Sequence, residues 1–431
     1  MASHKLREDK SKNWRQTGLH PTLLTSLIFV LLFSGPPMFR IRDPNASLEG
    51  VIDPSAMFQI CVWIAGGVWI ANQLRLRLQR NVRPLRILFP YKIGFLLVGL
   101  LALSTLVSEA PSLTAFKAYQ MLVSMIFTLI YVEDYGIGNC LDHIFWASTI
   151  LCAAIAICVF VAPDLVLFTT ETGALRLRGE LIAPTGIVSL LALILLMTRV
   201  RYLWTPLRVG LFLFFGTLLI CSLERTAYVA FLGFAALVVL RRNPSKGLKG
   251  FACVLLFAAC VFGLAGGGQY FDQFRDSGSI WTLSDRVGLW AYLAAVTLTK
   301  APWRGLGYFA ASRIYGPEYN PGLGTAHSMF FEAFIGAGIP ALACLVALCA
   351  VVLVYAFGIY RRHTSMLSLA IVGLLLSVLL EGSVGAEICS GPGGITFWSM
   401  VTIVSIVRWK ENAMRSIDSA VPAGLKALTS Q

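Results

Sequence analysis

Apolar runs of roughly 17–25 residues recur along almost the whole 431-residue chain, each long enough to cross about 30 Å of hydrocarbon as one helix. A water-soluble core has no room for them. Hydrophobic residues make up 57% of the chain and charged ones 13%, against about 45–50% and about 25% in ordinary soluble domains. Only helices and closed barrels satisfy their backbone groups in lipid, and the roughly ten-residue alternation of barrel strands is missing. The expected fold class is an all-α polytopic integral membrane protein with about 12 transmembrane helices.

Spans are expected at 22–39, 54–74, 91–107, 113–131, 141–163, 181–198, 204–221, 226–240, 248–265, 329–358, 366–381 and 391–407. The first reads as a retained span, because a polar, basic stretch precedes it and the SGPPMF after it has no small-residue cleavage site. With 1–21 as a cytoplasmic N-tail, the inside segments are RLRLQRNVRPLR (75–86), RVRYLWTPLR (199–208), RRNPSKGLKG (241–250), YRRH (360–363) and the C-tail 408–431. They hold most of the 35 Lys and Arg; the outside keeps Arg40, Arg42, Arg176, Arg178, Arg225 and five more in one long loop. The net charge of +13 is therefore a topology signal and argues for no nucleic acid. Spans one to nine occupy 22–265, a large outward loop of short helices 266–328, and spans ten to twelve 329–407. The off-centre loop and the lack of an internal repeat argue against a two-half transporter. Cysteines sit mostly in apolar runs with no C-x-x-C pair, as small hydrophobes do.

In such a chain the informative residues are ionisable side chains on the outer side with no orienting role, since taking a charge from water is costly unless it is paired or bound. Arg225 in LERTAY lies in a tight connection between two spans. Arg286 in SDRVGLW heads an apolar helical stretch of the loop, His327 in GTAHSMF stands where the loop re-enters the membrane, and Arg176 and Arg178 precede span six. Arginines converging on one face suit an anionic, phosphate-bearing substrate, and a nearby histidine suits a general base. Each residue also has a bland reading: snorkelling anchors for the arginines, a cap or core hydrogen-bonder for the histidine. Asp272, Asp276, Asp285, Glu318 and Glu332 read as a solvated loop face, not metal ligands; Gly305, Gly307, Gly322 and Gly324 read as turn positions. Glu381 and Glu387 flank a Gly-rich outer loop without an assigned chemistry.

The order ERTAY, DRVGLW, PWRGLGYFAASR and AHSMFFEAFIGAGIPAL resembles the O-antigen ligase and polymerase superfamily over about 210–350, with a looser upstream likeness in LRLRGELIAPTGIVSL. Glu224, Ser328, Ala183 and Thr185 depart from the family pattern, while the arginines and His327 keep to it. The resemblance implies a metal-independent, inverting glycosyltransferase of the bacterial inner membrane, without cofactor, working on the periplasmic side. Its donor would be an undecaprenyl-pyrophosphate-linked glycan; a chain-length regulator or flippase of the same pathway is a conceivable partner. By the same resemblance Arg225 and Arg286 hold the pyrophosphate, Arg178 assists, and His327 deprotonates the acceptor hydroxyl. A polymerase of repeat units into exopolysaccharide or O-antigen is the first expectation, a ligase to lipid A core or protein the second, and a secondary transporter the third. Against the transporter, the candidates cluster at the outer surface and not at mid-membrane, Lys117 and Glu332 excepted.

Overall fold

The computed structural model describes residues 21–35, 48–81, 84–169, 175–179, 181–200, 203–241, 246–264, 286–321, 324–363, 365–384 and 394–420. Among them run thirteen α-helices. They are α1 (Leu23–Ser34), α2 (Pro54–Gln79), α3 (Phe89–Leu103), α4 (Pro111–Val161), α5 (Thr185–Thr198), α6 (Thr205–Ser222), α7 (Arg225–Leu240) and α8 (Lys246–Leu264). After the long loop follow α9 (Arg286–Lys300), α10 (Ala310–Tyr319), α11 (Met329–Arg362), α12 (Met366–Val384) and α13 (Ile395–Ala420). Among the described residues each expected span overlaps a helix or an arm of one. Runs 113–131 and 141–163 are the two arms of α4, which turns at Gly136 (φ 83°, ψ 164°), a conformation that favours glycine.

Among the described residues, six helices are long and apolar enough to cross a membrane, and α1, α5 and α7 are shorter apolar ones. The chain is thus an all-α multi-pass membrane protein to that count, with one addition. A two-stranded antiparallel ribbon, β1 (Leu167–Thr169) and β2 (Leu175–Leu177), pairs Phe168 with Arg176. In the long loop, 266–285 lies outside the described residues, and α9 and α10 are its short helices.

The centre of the bundle is α5. It is apolar all round, and every residue of it but Met197 is buried. Its neighbours are α4, α6, α7 and α12. Aromatic side chains fill the adjoining space: Phe127 and Tyr131 pack with Phe29, Trp69 packs with Phe127, and Trp398 is fully buried beside Tyr91. The described cysteines are all free.

The two ends of this bundle carry opposite kinds of electrostatics. At one end Arg77 meets Glu133 and Asp134, Arg199 meets Asp142, and Arg362, His363 and Arg408 converge on Glu411. The other end receives the ribbon, the α6–α7 turn and the long loop.

Candidate functional site

At the loop end, β2 places Arg176, and the turn after it places Arg178. Arg176 Nε donates to the Ser222 carbonyl at 2.7 Å, and the Arg178 guanidinium stands 5.3 Å from the centre of the Phe168 ring. The Arg178 and Gly179 N–H groups both donate to Val166 O, which fastens the turn to β1. Gly179 is left-handed (φ 64°), and a side chain there would collide with Thr185 and Ala183. The chain therefore doubles back tightly and enters α5 within six residues of Arg178.

Across from this turn, α6 ends on Leu223 in a left-handed conformation (φ 50°), and α7 begins at Arg225 with Glu224 as its N-cap. The Glu224 side chain does not cap α7. It crosses instead to the head of α5, where its carboxylate accepts the N–H groups of Gly186 and Ile187. Burial pushes the Glu224 carboxyl up, opposed by Arg176, the two N–H groups and Arg286. Those N–H groups are among the donors that a helix start leaves without intrahelical partners.

Arg286 opens α9 and donates to the Val384 carbonyl at the end of α12. Burial pulls its guanidinium below the ordinary value; Glu381 and Glu224 oppose that, and Arg178 and Arg176 reinforce it. It stays charged at neutral pH. Glu381, fully buried on α12, adds a second carboxylate. Arg176, Arg178 and Arg286 thus share one neighbourhood with two carboxylates, and Arg225 heads the helix beside it.

One helical turn beyond Arg286, Trp290 reaches the start of α11. Its Nε1–H donates to Ala326 O at 2.7 Å, and its ring stacks on Phe331 at 5.1 Å. Glu332 Oε1 accepts the Ala326 N–H at 3.0 Å, so two side chains grip both polar groups of the residue before His327. His327 itself is left-handed (φ 49°), a conformation that non-glycine residues adopt only where the surroundings impose it. Met329, two residues on, packs against Gly382 of α12. The heads of α9 and α11 and the end of α12 are therefore built together.

α11 is broken at Ala337 and Gly338 (φ 75°), ahead of Pro340, so the apolar run 329–358 is a short head followed by a longer helix. The RGLG turn fills the break. Leu306 and Gly307 N–H groups donate to Ile335 O and Gly336 O at 2.8 and 3.0 Å, and Ile339 N–H donates to Pro302 O at 2.8 Å. Gly305 (φ 68°) lies directly against the Gly336 carbonyl, leaving no space for a side chain. Interrupted backbone inside a bundle is tolerated where protein supplies the missing partners.

Of the residues expected from sequence, Arg178 and Arg286 come together, Arg225 adjoins them, and His327 is linked to Arg286 through α9. Sequence reasoning left Glu224, Glu381, Trp290 and Glu332 out of the site and gave Arg176 no role of its own. The four-residue spacing of Arg286 and Trp290, which places both on one helix face, is the signal that was available for Trp290. Elsewhere, His143 bonds Asn139 O and Ser26 Oγ, the core role that a histidine usually has. Asp272, Asp276 and Asp285 lie outside the described residues, as do Gly322 and Glu387. Glu318 accepts from Tyr292, and no three metal-ligating side chains gather among the described residues.

Guanidinium groups gathered at this end are the kind that bind an anion. No curated protein matches the chain. Residues 209–346, which include Glu224, Arg225, Arg286 and His327 and follow Arg176 and Arg178, match the family model described as O-antigen ligase. Over that stretch the chain is similar to the O-antigen ligase family.

Proposed function

We propose that this is a glycosyltransferase of the bacterial inner membrane that polymerises undecaprenyl-pyrophosphate-linked repeat units into exopolysaccharide or O-antigen. The observation that carries the reading is the convergence of Arg176, Arg178 and Arg286 at the helix heads next to the clamped His327. The chain crosses the membrane twelve times in this reading, with residues 1–21 and 408–431 cytoplasmic and 266–328 periplasmic.

In the reaction, the acceptor hydroxyl oxygen attacks the anomeric carbon from the face opposite the diphosphate, inverting it. The bond from that carbon to the diphosphate oxygen breaks, and the leaving group takes both electrons. His327 receives the hydroxyl proton as the nucleophile forms. Arg225, Arg286 and Arg178 meet the charge that grows on the diphosphate, the kind of preorganised stabilisation that acts mainly in the transition state. A diphosphate so held leaves without being protonated, so the scheme calls for neither metal nor second acid.

The family description favours a second reading, a ligase that moves a finished glycan to lipid A core or protein. Both use one donor chemistry, and one experiment separates them. The gene is deleted in its host, and lipid-linked glycans are sized with and without complementation by wild type and His327→Ala. Accumulated single repeat units, cleared by wild type alone, are the expected result. Long lipid-linked chains would make the protein a ligase, and an unchanged pool would overturn both.

A further inference from the structure

Glu224 is out of place in an anion site. α5 starts at Pro184, which provides no side-chain cap, and its Gly186 and Ile187 N–H groups are taken by a carboxylate carried in from the α6–α7 turn. The seat is close-fitting: only glycine at 186 leaves room for that carboxylate. Helix capping alone needs no charge, since Ser, Thr or Asn serves as well as Asp. This carboxylate also interacts electrostatically with Arg176 and Arg286, the cations that an incoming anion would use. In its ionised form it penalises every such anion, and the penalty grows with the ligand's own charge. Glycosyl transfer raises that charge. The donor is a diphosphate diester with two negative charges, and the released diphosphate monoester gains a further ionisation with a pKa of about 6.

We propose that Glu224 sets the charge of this site: seated on the head of α5 against Gly186, within reach of Arg176 and Arg286, it weakens the hold of the arginines on the released diphosphate and so hastens product departure. The product-release role rests on the glycosyl-transfer reading; the weakening of anion binding rests on the geometry alone.

The test uses full-length protein in lipid nanodiscs, wild type and Glu224→Gln, titrated with inorganic pyrophosphate by calorimetry. The same preparations are assayed for sugar transfer with a lipid-linked donor. Glutamine keeps an acceptor for the Gly186 and Ile187 N–H groups and loses the charge. Pyrophosphate then binds about tenfold tighter, as removal of one close like charge predicts, and inhibits transfer more strongly, while kcat and KM fall together. A damaged fold binds pyrophosphate less well, so a gain does not come from damage. Unchanged or weaker pyrophosphate binding in Glu224→Gln overturns the proposal and leaves Glu224 a helix cap. Tighter binding in a protein that transfers no sugar overturns the glycosyl-transfer reading while the charge-setting role stands.

Discussion

The two ends of the bundle use arginine differently. At the basic end, cations are answered by carboxylates: Arg77 by Glu133 and Asp134, Arg199 by Asp142, and Arg362 and Arg408 by Glu411. At the loop end three arginines share two carboxylates, Arg176 and Arg286 bond to main chain at Ser222 O and Val384 O, and Phe168 lies against Arg178. The first arrangement neutralises charge and orients helices. The second fixes guanidinium geometry while leaving a positive surplus, which is what a site for a multiply charged anion requires. An arginine's role is thus set by what holds it in place.

Three substitutions test that contrast, the most damaging first. Arg286→Lys keeps the charge and loses the planar fork that spans Val384 O and a bound phosphate, so transfer in a reconstituted assay falls by about 100-fold or more. Activity within a few-fold of wild type would erase the distinction between fixed and merely present cations. Trp290→Phe keeps the stack on Phe331 and deletes the bond to Ala326 O, worth about 0.5–1.5 kcal/mol. Transfer falls by roughly threefold to tenfold with the unfolding temperature nearly unchanged; full activity would show that the Ala326 clamp does not position His327. At the basic end, Arg199→Gln breaks a pair whose side chains are 34% and 28% exposed, so the cost is about 0.2–1 kcal/mol after solvent screening. Transfer stays at the wild-type rate and the melting temperature moves by a few degrees at most; a loss of transfer would mean that the two ends are coupled.

The helices were legible because a hydrophobic run reports the thickness of lipid directly, and even the α4 turn is announced by EDYGIGN around Gly136. The ribbon was not, since three-residue strands carry too short an alternation to stand out. Arg225, Arg286 and His327 stood out as ionisable residues on the expected outer side, within short motifs that resemble the family. Glu224 was noticed only as an oddity. Its partners are backbone N–H groups nearly forty residues earlier, and a bond to backbone leaves no mark on residue type beyond the glycine at 186. The division of the 329–358 run was written in GAGIP, but only the RGLG turn seated against it shows how the interrupted carbonyls are satisfied.

That turn has a consequence for biogenesis. Residues 302–307 leave the ribosome before the helix that they complete, so α11 is inserted with the carbonyls of Ile335 and Gly336 still waiting for donors. Buried and unanswered, such groups each cost on the order of a few kcal/mol. A chain whose loop has failed to fold therefore carries an open polar seam next to its His327-bearing head. Folding of the loop and stability of α11 are thus coupled, and neither is complete until the RGLG turn is seated.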